Sequence, residues 1–69
     1  MKRSLEELAA GYTAAAHILT GRIAERRRKL ETLPPASRKA SAIKGELRIL
    51  YAERRDALEI AQKLTDYYS

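Results

Sequence analysis

The residues in this chain best equipped to bind something are cations. Arg22, Arg26, Arg27, Arg28, Lys29, Arg38, Lys39, Lys44 and Arg48 crowd into residues 22–48, against only Glu25, Glu31 and Glu46, so that segment carries +6 of a net charge of +5. Residues 1–21 sum to zero and residues 49–69 to −1. Such a block attracts anions: phosphates of a nucleic acid, carboxylates of an acidic protein, or lipid headgroups. It also suits a solvated helix end whose cations match the local dipole. Segment 22–48 holds no aromatic residue to stack on bases, and no helix-turn-helix, zinc-finger or basic-zipper pattern is present. Both readings, anion contact and solvated end, stay open.

Other chemistry finds little support. His17 is the only histidine, and its helical neighbours Thr13, Ala14, Thr20 and Gly21 are not usual metal ligands. Glu6 and Glu7 are adjacent and diverge by ~100° on a helix, the wrong geometry for a paired acid and base. There is no cysteine, no nucleophile–base triad and no glycine-rich phosphate loop. The sequence therefore predicts no catalytic residue, no cofactor, no metal and no small-molecule substrate, and the chain is read as not an enzyme. Arg54 stands apart, a cation on an otherwise apolar row, suited to fixing register, to reaching the edge of a helix pair or, less simply, to holding a ligand.

These residues are placed by two helices. From Ala40 to Tyr68, the positions Ala40, Leu47, Arg54, Ala61 and Tyr68 form one heptad row, and Ile43, Leu50, Ala57 and Leu64 the other. Alternating steps of three and four put both rows on one side of an α-helix. An earlier row runs Leu5, Leu8, Tyr12, Ala15 or Ala16, Leu19, Ile23 and Leu30, interrupted at Arg26. Ser4 with Glu7 forms a capping box at its start. Pro34 and Pro35 end the first helix near Glu31 to Leu33, since each lacks an amide proton and biases its predecessor away from α geometry. Ser37 is the N-cap expected for the second helix, although Pro35 at a first helical position is an allowed alternative.

The predicted fold is all-α: an antiparallel two-helix hairpin, helix 1 over about 4–32, loop about 33–37, helix 2 over about 37–67, in one domain spanning 1–69. Folding at the prolines pairs positions whose numbers sum to about 70, so Leu30 meets Ala40, Ile23 meets Leu47, Leu19 meets Leu50 or Tyr51, Tyr12 meets Leu58, and Leu5 meets Leu64. Between Ala9 and Ala16, six of eight residues are Ala or Gly, fitting either a close-packing surface or plain helix propensity. A repeat of Ala-Glu-Arg-Arg at Ala24 and Ala52 is offset by four heptads; with so few residue types in use, composition alone accounts for it.

Ile18, Ile49, Leu58 and Ile60 lie beside the apolar rows rather than within them. They widen the apolar arc beyond what two helices cover, and a core of 69 residues without disulfide or metal rarely offsets the entropy of folding by itself. These four residues are the candidate interface of a homodimer, two hairpins forming a four-helix bundle; a monomer leaving them exposed is the simpler alternative. The absence of cysteine fits the cytoplasm. No secretory signal is read at Met1-Lys2-Arg3, because Glu6 and Glu7 follow, and the longest uncharged segment, Leu8 to Gly21, is shorter than the ~20 residues of a membrane span.

The pattern Gly21-Arg22-Ile23-Ala24-Glu25-Arg26-Arg27, a short loop, Leu47-Arg48-Ile49-Leu50-Tyr51-Ala52-Glu53 and a closing Tyr67-Tyr68 resembles small helical hairpins carried by prophages and integrated mobile elements of Gram-positive bacteria. The likeness covers most of the chain. In architecture the chain is also similar to the plasmid copy-number regulator Rop, a dimer of helical hairpins that binds paired RNA loops; none of the RNA-contacting residues of that regulator maps here. These likenesses imply a helical interaction module offering its basic loop end to a protein or acidic partner, or a nucleic-acid-binding accessory protein of a mobile element.

Overall fold

The computed structural model describes residues 4–67. The heptad position of Tyr68 and the reading at Met1-Lys2-Arg3 lie outside them. Two helices, α1 (Leu5–Glu31) and α2 (Arg38–Asp66), fold back on one another across a six-residue bend. The ends fall where local chemistry puts them. Ser4 Oγ accepts the Glu7 amide at 3.1 Å and Ser37 Oγ accepts the Ala40 amide at 3.1 Å, each satisfying a first-turn donor that has no helical partner. Of the capping box at Ser4, only this hydroxyl half forms among the described residues. At the other end of α1, the amide and hydroxyl of Thr32 both donate to the Lys29 carbonyl, at 3.1 and 2.7 Å. The Ser37 amide closes the bend on the Pro34 carbonyl at 3.0 Å. Substituting Ser37→Ala is expected to cost about 1 kcal/mol, read as a lower urea midpoint by circular dichroism with an unchanged slope.

The helices run antiparallel: Thr20 of α1 meets Arg54 of α2 and Arg26, farther along α1, meets Glu46, so the partner number falls as the first rises. The seam is uneven. Toward the loop, Ile23, Ile43 and Leu47 pack together, with Leu30, Leu33 and Leu50 against them. The pairing of Ile23 with Leu47 is thus as the proline fold predicts. Toward the open end the buried positions are alanines, Ala9 and Ala16 against Ala57 and Ala61. The expected rung of Tyr12 and Leu58 leaves both side chains exposed there. An alanine seam sets little side chain between the helices, so larger neighbours remain at its margins. Within Ala9–Ala16 only the two terminal alanines are buried, and a Cβ on Gly11 would meet no atom within 4 Å. The intervening small residues are therefore not used for packing inside the hairpin.

The result is a rod of 49 × 18 × 16 Å with a radius of gyration of 15.7 Å, against about 11 Å for a compact domain of this length. It exposes 5688 Å², where a compact monomer of this size exposes about 4,400 Å². Among the described residues no large side chain is fully buried, and no helix is long and apolar enough to cross a membrane.

Candidate anion-binding end and apolar flanks

The nine cations predicted as an anion site gather at the loop half of the rod, but they wrap around it rather than lining one face. Helical phase explains this. Arg26, Arg27, Arg28 and Lys29 are consecutive, so each turns ~100° from the last. Two of the nine are engaged across the seam. Arg26 Nε lies 3.1 Å from a Glu46 carboxylate oxygen, and an Arg27 guanidinium nitrogen donates to the Tyr51 hydroxyl at 3.4 Å. The Arg26–Glu46 pair is roughly half exposed and contributes at most about 1 kcal/mol; its value is in holding one side of the groove.

That groove runs along one side of the basic half. Arg22, Glu25, Arg26, Glu46, Ile49 and Leu50 line one stretch. Arg26, Lys29, Leu33, Lys39 and Glu46 continue it toward the bend. Lys29 and Lys39 come from different helices and meet only because the chain folds back at the prolines. Arg28, Arg38, Lys44 and Arg48 stand exposed on the remaining surface of the same end.

The start of α2 is electrostatically at odds with its own helix. The first turn holds no acidic residue and instead carries Arg38 and Lys39, cations at the positive end of the macrodipole. The last turn of α1 is the reverse case, with Arg28 and Lys29 at the negative end. A helix start flanked by two cations adds its unsatisfied amides to the attraction for an anion.

Tyr51 was not part of the sequence-predicted site. It lies outside the basic segment in the chain, yet α2 brings it against Arg27, with the Arg54 guanidinium 5.2 Å from its ring centroid. The signal was the antiparallel register, which sets Tyr51 near the rung of Leu19 and within reach of a long side chain from Arg27. Arg54 itself reaches the seam's edge: besides stacking on Tyr51, it donates to the Thr20 hydroxyl at 3.5 Å. That hydroxyl in turn donates to the Ala16 carbonyl at 3.0 Å. Arg54 therefore bridges the two helices as a positioning group, the edge-reaching role the sequence allowed. His17 is exposed beside a shallow groove shared with Thr13, Thr20 and Leu58. Among the described residues no three His, Cys, Asp or Glu side chains group closely enough to hold a metal ion.

The four candidate interface residues are all exposed, Ile18 at 61%, Ile49 at 60%, Leu58 at 47% and Ile60 at 39%. They do not share a flank. Ile49 lines the groove with Arg22 and Arg26, and Ile18 sits one turn before Arg22 on α1. Ile60 is eleven residues, about three turns, beyond Ile49 and returns to the same side. Leu58 is half a turn out of phase and lies with Tyr51, Arg54 and Arg55 on the opposite flank.

No protein-family model, curated protein or solved structure matches this chain.

Proposed function

We propose that this chain is a small non-enzymatic interaction module, a helical hairpin that self-associates through apolar side chains outside its seam and offers the basic loop end to a protein or acidic partner. The observation that carries the reading is the start of α2. Arg38 and Lys39 oppose their own helix dipole, a local cost that hairpin formation does not require and that an anionic partner would repay. Self-association is supported by the surface the rod leaves uncovered, about 1,300 Å² more than a compact monomer of its size. A chain without cysteine suits a reducing compartment, and the cytoplasm is the proposed location.

One observation favours a second reading, a nucleic-acid-binding accessory protein of a prophage or other mobile element. Lys29 and Lys39 converge on one groove from two helices, and Tyr51 adds an aromatic at the margin of the basic half.

The two separate in a titration at low and moderate salt against an acidic polypeptide, generic duplex DNA and a structured RNA. Binding to the polypeptide with no shift of either nucleic acid supports the first reading. A nucleic-acid shift that weakens steeply with salt supports the second. Silence toward all three at low salt removes the binding end altogether. Sedimentation across micromolar concentrations tests the self-association, which a well-folded monomer throughout would rule out.

A further inference from the structure

The two flanks of the rod are not equivalent. Both flanks are bridged, the Ile49 flank by Arg26 with Glu46 and the Leu58 flank by Arg27 with Tyr51 and Arg54 with Thr20, but only the Leu58 flank has its aromatic ring covered by a guanidinium. The other flank carries Ile18 and Ile49, the two most exposed large aliphatic side chains, together with Ile60. Gly11 and Ala15 stand two turns and one turn before Ile18 on this side, and the space around Gly11 is open, so another backbone can come close. One long face of the rod, 49 × 18 Å, matches the ~800 Å² per partner of a standard interface.

Charge then selects the direction of whatever lies there. Residues 22–48 carry +6 and occupy the loop half, while residues 1–21 and 49–69 sum to zero and −1. A second copy laid alongside in the same direction would hold two +6 halves at the 8–10 Å of packed helices, within about one Debye length, where salt does not remove the repulsion. A reversed copy sets each basic half against an open half whose α2 face offers Glu53 and Asp56 between Ile49 and Ile60, Asp56 lying 3.7 Å from Arg55, with Lys63 as the one cation farther along that face.

We propose that the Ile18–Ile49–Ile60 flank receives a second copy of this chain in antiparallel orientation, with the two loops at opposite tips. This rests on the self-association reading above and adds to it the flank, the direction and a consequence: the second copy covers the groove of Arg22 and Arg26, so anion contact in the dimer falls to Arg28, Lys44 and Arg48, exposed outside that groove at two ends about a rod length apart.

The chain has no native cysteine, so Ala36→Cys in the exposed bend gives a single site for a spin label. Dipolar distance measurement on the labelled dimer should return a separation near the 49 Å rod length. A separation of roughly 20–25 Å, two helix diameters, would mean parallel copies and overturn the orientation while leaving the dimer intact. A monomer in sedimentation of the same sample, with no distance at all, would remove both. Ile18→Glu with Ile49→Glu should raise the dimer dissociation constant at least tenfold without loss of helicity, whereas Leu58→Glu should leave it within about twofold. The reverse pattern would place the interface on the other flank and refute the assignment.

Discussion

Truncating Ile23 to alanine is expected to remove about 3 kcal/mol of stability, a loss matched only within its own cluster of large buried side chains. The reason is how little else the seam has. Ile23 keeps 4% of its surface exposed and packs on Ile43 and Leu47, the only cluster of large buried side chains among the described residues. The opposite half closes on four alanines, which supply few methylene groups to withdraw from water. A chain of this length has a total stability of about 3–10 kcal/mol, so the Ile23→Ala protein should lose between about a third and all of it. Far-UV circular dichroism in a urea series reads the loss directly. Ile49→Ala, which deletes the same atoms from a side chain 60% exposed, is the control and should change the midpoint of the dilute protein by less than about 0.5 kcal/mol. Equal losses in the two variants would show that the Ile23 cluster is not the core.

The helices, the bend and the facing of Ile23, Ile43 and Leu47 were legible in the sequence because each rests on a local rule: a period of three and four, two prolines, and serine caps at Ser4 and Ser37. What the chain did not disclose depends on reach and on sidedness. The rung of Tyr12 and Leu58 follows from numbering, which says that two residues stand level and not that they point at each other; both side chains are exposed. Arg26 and Arg27 read as two members of a free basic run, yet each spans the seam, because a side chain with a long flexible stem finds a partner on the neighbouring helix. Ile18, Ile49, Leu58 and Ile60 were legible as residues beside the seam. Their division between two flanks needs α1 and α2 in place, since only the fold puts Ile18 of one helix on the side of Ile49 of the other. Tyr51 was hidden by the same distance in sequence, joining Arg27 across 24 residues.

Reversing four cations at the bend, Arg28, Lys29, Arg38 and Lys39 to glutamate, is expected to lower affinity for an anionic partner about 1000-fold and to reduce the dependence of log affinity on log salt by about four for a nucleic acid. These four are chosen because, among the described residues, none makes an ion pair or hydrogen bond to the opposite helix through its side chain, unlike Arg26 and Arg27. Reversal at Arg26 would set a carboxylate against Glu46 and confuse lost binding with a loosened hairpin. The stability effects of the four should nearly cancel. Carboxylates at 38 and 39 enter the first turn of α2, where the dipole favours them by about 0.3–1 kcal/mol each, while those at 28 and 29 enter the last turn of α1 and lose a similar amount. Net charge falls from +5 to −3, two units for each reversal. The thermal midpoint should therefore hold within a few degrees while binding disappears. The charge-matched comparison is between two double reversals that each leave a net charge of +1: Arg38 and Lys39 to glutamate as the bend variant, which should lose most of the binding, and Arg55 and Lys63 to glutamate as the open-half variant, which should leave it within a few-fold. If the bend variant and the open-half variant lose affinity equally, the attraction is a property of net charge and the loop end is only a solvated terminus. If the bend variant alone fails, the opposition between Arg38, Lys39 and their own helix dipole has its explanation in the anion that the end was built to meet.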